Sequence, residues 1–105
     1  MMERRLEQRH PLRVGVRVRD RSGRVFFSPT RDISRSGAFI ETGRVDLSSE
    51  GVLWVDLPDP DAEGGWNDVA ALVVHHHPDG VGVMFSHPYA ALERLSALHR
   101  QPQAA

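Results

Sequence analysis

The chain of 105 residues contains no cysteine and no lysine. Without cysteine there is neither a disulfide framework nor a thiolate metal site. Without lysine, all thirteen basic residues are arginine. Arginine is a planar cation that meets phosphates and flat base edges through paired hydrogen bonds, where lysine offers a point charge. Long apolar runs are missing too. The longest, Val69 to Val74, is six residues, against about 20 for a helix that crosses a bilayer, so no membrane insertion is expected. The opening Met-Met-Glu-Arg-Arg shows no secretory signal, and the cytoplasm is the expected compartment. Signatures of catalysis are lacking as well. Ser34 and Ser36 lie in no Gly-x-Ser-x-Gly elbow, and Gly80-Val81-Gly82 runs into a strand pattern rather than a helix. A binding protein is expected, not an enzyme.

What is present is unevenly distributed. Residues 1–37 hold ten arginines against four acids, a net of +6, while residues 38–105 hold three arginines against ten acids, a net of −7. The basic third raises nucleic acid as a partner. The acidic remainder and the scarcity of aromatics in the basic part argue against it.

The length suits one small domain. Residues 1–12 read as an arginine-rich arm, 13–86 as an all-β barrel, 88–100 as a helix and 101–105 as a frayed tail. Val14, Val16 and Val18 alternate with polar residues, the period of a strand with one buried face. Asp20-Arg21-Ser22-Gly23 is a turn, and a second strand through Val25–Phe27 is expected to be interrupted at Pro29 and Thr30. Residues 32–37 read as loop and Ala38–Thr42 as a short strand. Leu53, Val55 and Leu57 alternate in a later strand. Residues 69–76 and 81–85 form the clearest hairpin, turning at His77-Pro78-Asp79-Gly80. Ala91, Leu92, Leu95 and Leu98 then fall three or four apart, on one helical face read as core cover, with a dimer face through Leu92, Leu95 and Leu98 as the alternative if the barrel leaves them uncovered. Six short antiparallel strands capped by one helix are predicted.

Two features carry chemistry. Arg5 and Arg9 are four apart, with Arg4 directly before them. On one helical turn they share a face and can grip a phosphate or the edge of a guanine, although a solvated basic tail has the same composition. Asp32-x-Ser34-x-x-Gly37 is the second feature. A carboxylate accepts from the donor edge of guanine, and glycine permits a positive φ or a close approach of backbone to ligand. The plainer alternative is a turn in which Asp32 and Ser34 bond their own backbone.

Together the two features resemble the PilZ family, whose hallmark is an Arg-x-x-x-Arg arm followed by Asp/Asn-x-Ser-x-x-Gly. Here these are Arg5-Leu6-Glu7-Gln8-Arg9 and Asp32-Ile33-Ser34-Arg35-Ser36-Gly37. The resemblance extends to Arg9–Arg13, to Ala38-Phe39-Ile40, to Gly51 and to Gly80–Phe85. It implies a six-stranded antiparallel barrel that binds the bacterial second messenger cyclic di-GMP. Arg5 and Arg9 would clamp phosphate and guanine, and Asp32, Ser34 and Gly37 would line the barrel rim. Arg4 stands where, in this family, an arginine accompanies an intercalated ligand dimer. With no output domain, the effect would pass to an effector protein as the arm orders. The alternative is a PilZ-like scaffold of a pilus or motility complex that binds no nucleotide.

Other residues are read more plainly. His75 and His77 share a strand face, lack a third ligand for a metal, and are candidate further contacts for a guanine, as is Arg35. Trp54 opposes the core face of its strand and is expected beneath the helix, with an exposed partner anchor as the alternative. Arg13, Arg17, Arg19, Arg21, Arg24 and Arg31 have no motif role and are expected to be solvated.

Overall fold

A computed structural model describes residues 9–43, 45–47, 49–62 and 64–100. The order is β1 (Gly15–Arg19), β2 (Val25–Ile33), β3 (Gly37–Glu41), β4 (Val52–Pro58), β5 (Trp66–His77), β6 (Gly80–Phe85) and α1 (Leu92–Arg100). The strands close into a barrel in the order β1-β2-β3-β6-β5-β4, every pair antiparallel. This is the predicted six-stranded, helix-capped barrel.

Alternation along each strand sends one set of side chains inward. Val16, Val18, Ile33, Ile40, Leu53 and Val55 are fully buried and fill the interior. Helix α1 closes one side through Leu92 and Leu95. Tyr89, just before it, is anchored twice. Its hydroxyl donates to the Pro58 carbonyl, and its N–H donates to the Arg35 carbonyl at 2.7 Å. Burial, and then the Asp59 carboxylate, push the Tyr89 phenol up from its ordinary pKa.

Several sequence-based expectations are corrected. Strand β2 is not interrupted at Pro29 and Thr30. The Thr30 N–H donates to Val14 at 2.9 Å, and pairing with β3 starts at Thr30, so the N–H that Pro29 lacks falls just beyond that ladder. The 32–37 segment is a hairpin rather than a loop: Asp32 and Ile33 end β2, and Gly37 begins β3. The helix starts at Leu92 rather than Pro88, and Leu98 is 52% exposed, so the apolar stripe is core cover only over its first turn. Trp54 is covered by the Arg19 guanidinium, 5.1 Å from its ring centroid. Nor are the arginines merely solvated. Arg17 pairs with Asp56 at 2.6 Å, Arg24 with Asp20 at 2.8 Å and Arg13 with Glu41 at 2.6 Å.

Two local devices fix the barrel. At Gly80, a Cβ would strike the Ile40 carbonyl oxygen, so β3 and β6 approach more closely than any side chain there allows. At the β1–β2 turn, Asp20 accepts from the Ser22 N–H (3.0 Å) and hydroxyl (2.7 Å) and from the Arg24 N–H (3.0 Å) and Nε (2.8 Å). The Ser22 hydroxyl chiefly, against the opposing effect of burial and with help from Arg24, holds the Asp20 carboxyl below its usual range.

Gly80→Ala is expected to destabilise the fold by about 2 kcal/mol, the cost of forced overpacking. Gly51→Ala, where nothing lies within 4 Å, should stay within about 0.5 kcal/mol of the parent in the same urea titration. A depressed carboxylate pKa contributes stability that is present above the unfolded value of about 4 and is lost as pH falls through the folded value. Asp20→Asn should therefore melt below the parent at neutral pH. The gap should close as pH falls below about 5 and on through the depressed folded value; a constant gap would remove Asp20 as the cause.

Candidate functional site

The candidate residues meet on the outer face of the barrel. By register, Asp32 of β2 faces Phe39 of β3, Phe39 faces Gly82 of β6, and Gly82 faces His75 of β5. Their neighbours Ile33, Ala38 and Val83 are buried, so this row of four faces outward. Three strand spacings make it roughly 14 Å long.

Two β-bulges flank the row. One lies in β2 between Thr30 and Asp32, the other in β5 between Val73 and His75. A bulge breaks the two-residue alternation and re-aims side chains. In β2 it lets Arg31 and Asp32, adjacent in sequence, both turn outward while Thr30 and Ile33 remain buried. In β5 it leaves Val74 and His75 both exposed.

At one end of the row Arg9 meets Asp32. Its Nε donates to Asp32 Oδ1 at 3.1 Å, and its Nη2 pairs with the same oxygen. The next residue, His10, is bridged to Ile33 by two backbone hydrogen bonds of 2.7 and 2.9 Å. Its ring nitrogen lies 3.4 Å from the Ser96 hydroxyl of α1. The end of the expected arm is thus tied to both barrel and helix. Arg4 and Arg5 lie outside the described residues.

Ser34 behaves as the plainer alternative has it. It is 1% exposed. Its hydroxyl accepts from the N–H groups of Ser36 (3.3 Å) and Gly37 (3.2 Å) and donates to the Gly37 carbonyl (3.3 Å). Asp32 does otherwise, turning out to Arg9. Gly37 has no positive φ; a Cβ there would strike the Val83 carbonyl of β6, so its lack of a side chain serves the close approach of two strands. Arg35 is exposed at the tip of the turn, while its carbonyl holds Tyr89.

At the other end stand His75 and His77, ring centroids 6.1 Å apart. His77 meets Phe39 edge-on at 5.7 Å, and the Arg31 guanidinium lies over the same Phe39 ring at 4.4 Å. The Asp79 N–H donates to His77 Nδ1 at 3.1 Å. Gly82 gives His75 room, since a Cβ there would stand 3.2 Å from the His75 Cβ. Arg31 and Phe39 are site-face residues that sequence reasoning passed over. Arg31 donates to Glu41 (3.1 Å) and Asp79 (3.4 Å), and Arg13 donates to Glu41 at 2.6 Å. Hydrogen bonds from Arg13 and then Arg31 hold the Glu41 carboxyl below its usual range, and Glu41 in turn holds Arg31 charged more firmly. Among the described residues no group of three or more His, Asp or Glu is placed to hold a metal, and no helix is long and apolar enough to cross a membrane.

The face therefore offers guanidiniums, a carboxylate and flat rings along one row, a set suited to an anion that also carries planar bases. Comparison with known proteins bears on family and fold. A family model described as PilZ domain matches residues 3–98. The PilZ domain of CeSA from a cellulose-synthesising bacterium superposes with a TM-score of 0.65 at 15% identity, over 89% of this chain and 99% of that one. The Bacillus subtilis inhibitor of motility MotI/DgrA gives 0.64 at 14% identity, over 96% of this chain and 55% of that one. At such identities the likeness is one of fold. No curated protein matches the sequence.

Ser34→Ala should cost about 1–2 kcal/mol, because two N–H groups in the turn lose their acceptor. Urea denaturation measures this without any ligand. An unchanged midpoint would mean that Ser34 is not a structural residue of the turn.

Proposed function

The chain belongs to the PilZ domain family, a family of cyclic di-GMP-binding receptors, and on that premise we propose that it binds cyclic di-GMP on the outer face of β2-β3-β6-β5 and signals to an effector protein. The observation that carries this reading is the meeting of Arg9 and Asp32, 23 positions apart, on the row that ends at His75. Cyclic di-GMP has two phosphodiester charges and two guanines. Arg9 and Arg5 would take phosphate and the acceptor edge of guanine, and Asp32 would take the donor edge. Ser34 and Gly37 would act by shaping the turn beside them, and His75 or His77 would meet a base from the far end. Arg4 supports a ligand bound as an intercalated dimer. The role is that of a cytoplasmic receptor, not an enzyme.

Signalling has a short path available. His10 touches Ser96 of α1, and the carbonyls of Arg35 and Ser36 accept from the N–H groups of Tyr89 and Phe85 (both 2.7 Å). A ligand that pulls Arg9 and orders the arm would act on the elements that seat the helix. The exposed side chains of Leu72, Val74 and Met84, on the neighbouring part of β5 and β6, suit contact with a partner protein.

Calorimetry with cyclic di-GMP tests the proposal. Binding with two ligands per chain is expected, and Arg9→Ala should weaken it roughly 10- to 100-fold, the worth of a charge-assisted hydrogen-bond pair. One ligand per chain would overturn the dimer. No heat at micromolar ligand would favour the nucleotide-free scaffold instead.

A further inference from the structure

Arg31 belongs to neither motif, yet it is fixed from three directions. Its guanidinium lies 4.4 Å from the Phe39 ring centroid, Nε donates to Glu41 Oε2 at 3.1 Å, and Nη2 donates to Asp79 Oδ2 at 3.4 Å. A long side chain on a sheet surface ordinarily samples many rotamers; this one is held over the Phe39 ring. The side chain is still 44% exposed. Beside it a shallow depression is lined by Pro29, Arg31, Glu41, Gly43, Pro78 and Asp79. Two prolines and a glycine leave that depression without a bulky side chain to fill it.

The chemistry of this corner selects among ligands. A simple anion gains from Arg31 but meets the Glu41 and Asp79 carboxylates beside it. A planar group with hydrogen-bond donors along one edge suits all three, stacking on the cation and donating to the free lone pairs of the carboxylates. Guanine, with N1–H and N2–H₂ on a single edge, is such a group. Position agrees with chemistry, because Phe39 stands directly opposite Asp32 and the corner adjoins the Arg9–Asp32 pair on the same face.

We infer that Arg31, laid on Phe39 and pinned by Glu41 and Asp79, is a base platform on which a guanine of the bound nucleotide stacks with its donor edge towards those carboxylates. The inference rests on the cyclic di-GMP reading above and adds to it a subsite outside both motifs. The bulge in β2 is what creates it, by bringing Arg31 to the face that Asp32 already occupies.

The test is titration of cyclic di-GMP into the full chain and into Arg31→Lys, Phe39→Leu and Arg9→Ala, with melting curves to establish folding. Arg31→Lys keeps the charge and removes the plane. It should weaken binding about tenfold, the scale of one base stack, while the salt dependence stays that of the parent. Phe39→Leu, which removes the ring beneath the guanidinium, should weaken binding in the same direction. Affinity equal to the parent in both variants, with Arg9→Ala defective, overturns the platform and leaves the nucleotide reading standing. Absence of binding by the parent overturns that reading, and the platform with it.

Discussion

Closure of the sheet is the constraint from which the rest follows. β1 pairs with β4 as well as β2, so the described strands leave no free edge at which a peptide could add. Among the described residues the interior is packed mainly by valine, leucine and isoleucine. An apolar interior does not suit a planar, charged molecule, which leaves the outer face. There strict alternation offers every second residue, so a carboxylate and the cation next to it in sequence would point to opposite sides. The bulge at Arg31 removes that restriction where the proposed site needs it. The second bulge, at Val74, lies across β3 and β6 at the other end of the same row. Between them the wall is regular, and its exposed side chains fall into register.

The seam between β3 and β6 imposes a second condition. Gly37 and Gly80 both oppose backbone carbonyls that a Cβ would strike. The glycine of the Asp-x-Ser-x-x-Gly motif is thus accounted for by strand packing, and the serine by the hydrogen bonds of the turn. Of the motif residues in the described structure, Asp32 and Arg9 are those whose functional groups face outward. A motif can therefore mark a site without every member touching what is bound there. Some of its residues hold the turn that places the others.

Much of the architecture was legible because it depends on local period. Val14, Val16 and Val18 announced a half-buried strand, and Pro78-Asp79 announced a hairpin turn; both depend on neighbours within a few residues. Reading failed where the deciding partner is distant. Pro29 looked like an interruption because the end of its ladder with β3 is set by residues ten or more positions away. Leu98 looked like core because periodicity does not show how far the barrel extends beneath a helix. Arg31 looked merely solvated because its contacts, Phe39, Glu41 and Asp79, lie 8, 10 and 48 positions along the chain. Arg9 and Asp32 are likewise 23 apart; their association was legible only through the resemblance of two motifs, not through any local signal.

The arginine composition has a different meaning once the pairs are seen. Arg24 is tied to Asp20 within the first third, whereas Arg13, Arg17 and Arg31 are tied to Glu41, Asp56 and Asp79, so part of the +6 is neutralised by acids of the remainder. Among the described residues the charge split along the chain is therefore smaller in space than in sequence. Arg9 differs from a buried clamp in one respect. Its side chain is 55% exposed and that of Asp32 is 29% exposed, and pairs of this kind contribute about 0–1 kcal/mol. A ligand that supplies a phosphate to Arg9 and a donor edge to Asp32 would replace one exposed pair by two charge-assisted contacts, with little to overcome first. A buried pair at the same place would hold its geometry better, yet would resist that exchange by several kcal/mol. Exposure at Arg9 is what makes a preformed pair compatible with a reversible receptor.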